Sequence, residues 1–306
     1  MLPEIVLSIN PTYYCNMSCG WCYLTPEQLA DKGKVDLDVL RTRLETISQN
    51  YTISHVDVYG GEVTLLPKEY QRSFMDLVES FNPLSVNVVT NFTAPLSPIL
   101  QEYDVDVSVS YDHVARPNYD TVYQNLLLSS HRVVILTLVS REFLDTVNLD
   151  EYVRSLSMLQ HLVSVDIKPY STNQSNDHSV SYMEYEDVVR RVIDHPDRKF
   201  HLTNVDQIAD VISGQHNAYS DNHLYITPTG DIAVLDFDME DREYFRVVND
   251  MESYREWILR EVVITDEGAC GVCKYRGGCL SEHIRVVRDV DESCNGFFKL
   301  LETYNV

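Results

Sequence analysis

Six short, apolar, β-branched runs alternate with helical patterns along the first two thirds of the 306-residue chain. The runs lie at 5–10, 55–60, 84–91, 105–111, 132–140 and 163–170. Helical patterns fall between them at 36–49, 67–80, 95–102, 118–130 and 148–161, with a sixth at 182–194. Asp36 is placed to cap the first of these helices, and Pro67 suits the first turn of the second. Phe74, Leu77, Val78 and Phe81 recur at helical spacing. A strand-then-helix order repeated in series predicts an α/β fold with a parallel sheet and right-handed crossovers. Six units are too few for a closed eight-fold barrel, so an open partial barrel or a doubly wound sheet is expected. Either one puts function at the C-terminal ends of the strands.

The pattern changes near residue 200. Segment 223–238 reads as a hairpin, with Pro228, Gly230 and Asp231 supplying the turn. A cysteine-rich stretch follows at 270–294, then a short helix at 295–304. Two domains are therefore expected, 1–200 and 201–306. Hydrophobic residues at 44% and charged residues at 23% exclude a disordered or low-complexity chain. Asp and Glu number 47 against 24 Lys and Arg, a net charge of −23. Such a surface favours solubility and repels phosphate backbones and anionic lipids, so neither nucleic acid nor membrane is an expected partner. No apolar run approaches the roughly 20 residues that span a bilayer, and MLPEIVLSIN lacks the parts of a secretory signal. A cytoplasmic location is expected, where cysteines serve as metal ligands more often than in disulfides.

The seven cysteines fall into two groups. Cys15, Cys19 and Cys22, in CNMSCGWC, occupy the loop after the first strand, on the expected functional edge. Three thiolates bind three irons of a cubane and leave the fourth open to an outside ligand. Cys270, Cys273, Cys279 and Cys294 form a four-thiolate set that closes a metal site, either an iron–sulfur cluster or zinc. Three plus four leaves no cysteine over.

The run Cys15-x3-Cys19-x2-Cys22, with Trp21 before the third cysteine, resembles the signature of the radical S-adenosylmethionine (SAM) superfamily. The resemblance implies a (β/α)6 partial barrel holding a 4Fe-4S cluster. Gly60-Gly61-Glu62, ending the second strand, is similar to the family's GGE motif, which binds the amino group of SAM. Two glycines let a ligand approach the backbone, and a carboxylate pairs with an ammonium. Thr90-Asn91 resembles the start of a TNG segment, with Phe92 in place of glycine. Ser110-Tyr111-Asp112 resembles an S-L-D segment near the SAM ribose, with His113 where glycine is common. Asn91 and Ser110 are thus implied SAM contacts, and Lys168, ending the sixth strand, faces the same edge. The C-terminal hundred residues resemble the twitch or SPASM extension of peptide-modifying radical SAM enzymes. Four cysteines instead of seven imply one auxiliary 4Fe-4S cluster, with Leu235-Asp236 near the place of a missing ligand.

By this resemblance the chain is expected to cleave SAM reductively and to abstract hydrogen from a peptide, as a ribosomal-peptide maturase that forms a crosslink. A reductant such as flavodoxin or ferredoxin is implied. With the first strand near residue 5, a separate peptide-recognition protein or direct docking on the extension is expected. The alternatives are a radical SAM enzyme acting on a small molecule or nucleoside, and a non-catalytic iron–sulfur or zinc protein.

Overall fold

A computed structural model describes residues 2–170, 178, 180–219, 221–235, 245–248, 250–281, 294 and 296–304. The first half runs β1 (Glu4–Ile9), α1 (Pro26–Ala30), α2 (Leu37–Ser48), β2 (Thr52–Val58), α3 (Lys68–Glu79), β3 (Ser85–Thr90), β4 (Asp106–Ser110), α4 (Tyr119–Leu128), β5 (Val133–Val139). It continues through α5 (Arg141–Thr146), α6 (Leu149–Leu156), β6 (Leu162–Pro169), α7 (Tyr182–Ile193), β7 (His201–Leu202) and α8 (Thr203–Ile212). The last third holds β8 (His223–Ile226), β9 (Ile232–Leu235), β10 (Phe245–Val247), α9 (Met251–Glu267) and α10 (Phe298–Tyr304).

The strands form one sheet in the order β10-β9-β8-β1-β2-β3-β4-β5-β6-β7. Pairing from β8 through β1 to β7 is parallel, and β9 and β10 add antiparallel edges. This is the expected partial barrel with a short seventh strand. The sheet runs without a break past residue 200, because β8 pairs with β1.

Period-two alternation sorts the strands' side chains. Val56, Val58, Val107, Val109, Val165 and Ile167 are buried in the apolar core with the helices. Their neighbours Asp57, Ser108, Ser110, Asp166 and Lys168 instead line a cavity on the concave side. Barrel interiors usually fill with Val, Ile and Leu. Small polar residues here leave the space open.

Asp36 caps α2 by accepting the Asp38 and Val39 N–H groups, and Pro67 precedes α3. The helix expected over 95–102 is only a 3-10 turn at Leu100–Glu102, because Pro95 and Pro98 cannot sit in a helix interior. The hairpin forms as β8 and β9, with Gly230 at φ +82° in its turn. Its expected end at 236–238, including Asp236, lies outside the described residues. The terminal helix starts at Phe298. Among the described residues no helix is long and apolar enough to cross a membrane.

Two residues of β7 barely cover the edge of β6, and a side chain continues the ladder. Asn204 Oδ1 accepts the Ile167 N–H at 3.0 Å, and its Nδ2 donates to Ile167 O at 2.9 Å. Tyr185 donates to the same carbonyl at 2.6 Å. Asn204→Ala leaves the buried Ile167 N–H without its acceptor, an expected loss of about 1–3 kcal/mol in chemical denaturation.

Candidate active site

The chain leaving β1 does not turn away from the sheet. Segment 10–15 lies against the end of β2, where Thr12 O accepts the Gly61 N–H at 2.8 Å and Tyr14 O accepts the Glu62 N–H at 2.7 Å. That contact explains the glycines. A Cβ on Gly61 would lie 2.2 Å from Tyr14 O, and one on Gly60 (φ +139°) would lie 2.7 Å from Thr12 O. The glycine pair is thus the bed on which the cysteine loop rests, as well as part of the cavity wall.

Beyond this bed the loop carries all three cysteines into the cavity. Cys15 Sγ accepts the Met17 N–H at 3.4 Å, and the Cys22 N–H bonds Cys19 O at 3.0 Å. A capping box between Thr25 and Gln28 closes the loop onto α1. Burial pushes the Cys19 thiol up to about 11, and nearby Arg116 opposes the rise. Burial also raises Cys15 and Cys22. Thiols held this way stay protonated at neutral pH unless a cation coordinates them.

Glu62 makes its hydrogen bonds within the protein. Its carboxylate is buried and outside the cavity lining. Oε1 accepts Thr64 N–H and O–H and the Thr90 hydroxyl, and Oε2 accepts the Asn91 N–H at 2.7 Å. It clamps the end of β2 to the end of β3. Asn91 does reach the cavity, with Nδ2 2.8 Å from Asn16 Oδ1 and 3.7 Å from Cys15 Sγ. Ser110 and Lys168 line the same space, and Lys168 Nζ lies 3.1 Å from Asp166 Oδ2.

Arg116 belongs to none of the motifs in the sequence. It lines the cavity, pairs with buried Asp112 at 2.7 Å and donates to Cys19 Sγ at 3.7 Å. An acidic and a basic residue four apart, directly after a strand, was the available signal. Trp21, Tyr170 and Tyr225, all buried, complete an aromatic part of the wall.

The second cysteine group starts where α9 ends. Cys270 and Cys273 bracket a 3-10 turn closed by Cys273 N–H to Cys270 O at 3.0 Å. A Cβ on Gly271 would lie 2.1 Å from Asp266 O, and one on Gly296 would lie 2.6 Å from Cys279 Sγ. Burial, with neighbouring thiols adding to it, pushes Cys270 up to about 11 and Cys279 up to about 12. Burial also raises Cys294. Leu280 and Phe297, beside this group, line the same cavity as Cys15, Cys19 and Cys22. Among the described residues no three His, Cys, Asp or Glu side chains converge on a single-ion site.

The cavity measures about 800 Å3, within the range of about 300–1,000 Å3 of small-molecule sites. A partial barrel with a three-cysteine loop after β1 is a fold shared with several solved structures. The chain matches the solved structure of anSMEcpe with bound AdoMet and Cp18Cys peptide at a TM-score of 0.71 and 15% identity, covering 99% of this chain and 96% of that one. It also matches Streptococcus suis SuiB bound to precursor peptide SuiA, at a TM-score of 0.62 and 13% identity, over 94% of this chain and 75% of that one. No family profile and no curated sequence matches the chain.

Proposed function

We propose that the chain is a radical SAM enzyme that modifies a peptide in the cytoplasm, with residues 201–306 as its auxiliary-cluster extension. One observation carries the reading. A single cavity joins three thiols, a glycine-paired strand end and the wall beside a four-thiol group. Cys15, Cys19 and Cys22 would hold a 4Fe-4S cluster with one open iron. Cys270, Cys273, Cys279 and Cys294 would hold a closed one. Each thiolate of a cubane binds its own iron, so the thiols need not meet at one point as they do around zinc. When bound and reduced by one electron from a flavodoxin or ferredoxin, the open cluster and SAM supply a 5′-deoxyadenosyl radical that abstracts hydrogen from the substrate.

The protein's part is positioning and exclusion of water. Gly60 and Gly61 admit SAM close to the backbone, and Glu62 fixes the strand ends beneath it. Asn91 and Ser110 present polar groups to the nucleoside. Lys168, held by Asp166, meets a carboxylate of SAM or of the substrate. Trp21 and Tyr170 shield the reacting volume. The peptide reading is supported by the bound peptides in the anSMEcpe and SuiB structures. A closed auxiliary cluster suits electron acceptance during a net oxidation such as crosslink formation.

Oxygen-free reconstitution tests this. Two cubanes correspond to about eight irons per chain, and the reduced protein is expected to release 5′-deoxyadenosine from SAM. Zinc in place of iron, with no SAM cleavage, would instead identify a binding protein. Mass spectrometry of candidate peptides incubated with the reduced enzyme then identifies the bond formed.

A further inference from the structure

Asp112 follows β4 and its side chain is fully buried. Oδ1 accepts the Leu138 N–H of β5 at 2.7 Å. Oδ2 accepts Arg116 Nε at 2.9 Å and Nη2 at 2.7 Å. These bonds fix the plane of the guanidinium. The arm left over, Nη1, donates to Cys19 Sγ at 3.7 Å. The spacing is set by a 3-10 turn at His113–Ala115, closed by Arg116 N–H to His113 O at 3.0 Å. Arg116 is 11% exposed, so water and salt screen its charge little.

A buried Arg–Asp pair is weak evidence of a stabilising role, since apolar replacements of such pairs are often neutral or better. Packing alone also does not require a spare N–H directed at a cysteine sulfur. The other donors to the cysteines of this loop, Met17 N, Asn91 Nδ2 and Leu24 N, are neutral. We infer that Arg116, oriented by Asp112, sets the reduction potential of the cluster on Cys15, Cys19 and Cys22. The inference rests on the cluster assignment proposed above.

Reduction adds one negative charge to a cluster, and charge and hydrogen bonds at its sulfurs govern the potential. A cationic N–H at Cys19 stabilises the reduced form more than the oxidised form, which raises the potential. The Asp112 carboxylate partly cancels the cation and acts in the opposite sense. Arg116 is therefore a positioning residue that makes the first electron easier to accept.

The test is a redox titration of the reconstituted full chain followed by electron paramagnetic resonance. The auxiliary signal is measured separately in a variant with Cys15, Cys19 and Cys22 replaced by alanine. Arg116→Gln is expected to lower the reduced-to-oxidised ratio at a fixed potential about tenfold, which is about 59 mV for one electron. Asp112→Asn keeps the shape of the side chain and, with its amide oxygen still accepting from Arg116 while the Leu138 bond is lost, is expected to shift the ratio the other way. Opposite shifts support the inference. Unchanged potentials, or shifts in one direction, overturn it. If Arg116→Gln loses its iron, Asp112→Asn decides alone, with a rise in support and any other result against. Loss of iron from both variants marks the pair as structural and also overturns the inference. Absence of a cubane on the three cysteines in the unaltered chain is a different failure, that of the proposed function.

Discussion

Replacing Cys15, Cys19 and Cys22 together with alanine is expected to abolish 5′-deoxyadenosine release and to leave the auxiliary cluster's absorbance in place. The effect is complete because no other group in the described cavity wall can take over. Asp57, Asp166 and Lys168 lie among its lining residues, but oxygen and amine donors do not replace thiolates at an iron–sulfur cubane. The second half of the prediction follows from where the four remaining cysteines are built. Cys270 and Cys273 sit on a turn at the end of α9, and Gly296 packs on Cys279. None of these contacts involves the loop after β1. Iron analysis is expected to show about half the metal of the parent chain, as one cubane of two is lost. SAM cleavage surviving in this variant would overturn the assignment of the open cluster. Disappearance of both clusters would show that the two sites fold as one.

Much of this site was legible because strand-end chemistry is local. Val107-Ser108-Val109-Ser110 alternates in the sequence, and the same alternation separates core from cavity in the structure. Six strands and five of six helices follow from periodicity, and the exception carries two prolines. Three kinds of feature were not legible. β7 has two residues, too few for any period to register. α9 gives only a mixed signal, although Met251, Tyr254 and Trp257 recur at helical spacing. Its Val262-Val263-Ile264-Thr265 run is β-branched and disfavours helix locally, so tertiary packing decides its form. The role of Glu62 depends on Thr90 and Asn91, 28 and 29 residues away. A motif read along the chain supplied its ligand chemistry and missed its neighbours. Arg116 belongs with Glu62, since its meaning arises only when β4 is placed beside the cysteine loop.

The glycine pair gives the second large effect. Gly61→Ala is expected to strip the open cluster from the protein without unfolding it. A Cβ there would sit 2.2 Å from Tyr14 O and 2.5 Å from the Tyr13 carbonyl carbon and oxygen. All three are backbone atoms one or two residues from Cys15, so no rotamer change relieves the clash. Ordinary contact begins at 3.4 Å, and the loop must retreat by about 1 Å. That retreat breaks the bonds from Gly61 N–H to Thr12 O and from Glu62 N–H to Tyr14 O, and it moves Cys15 away from its partners. Displacements on this scale cost about a hundredfold in rate even where binding survives, so SAM cleavage is expected to fall by at least about that factor. Gly214→Ala is the control. Its backbone is left-handed at φ +72°, a strain Gly61 does not carry, but nothing lies within 4 Å of its Cβ. It is expected to lose about 1–2 kcal/mol of stability and to keep its iron. The readouts are iron content after oxygen-free reconstitution, the visible absorbance of each cluster, and the thermal midpoint. If Gly61→Ala keeps both clusters and full activity, the glycines do not support the loop. The motif would then serve SAM alone.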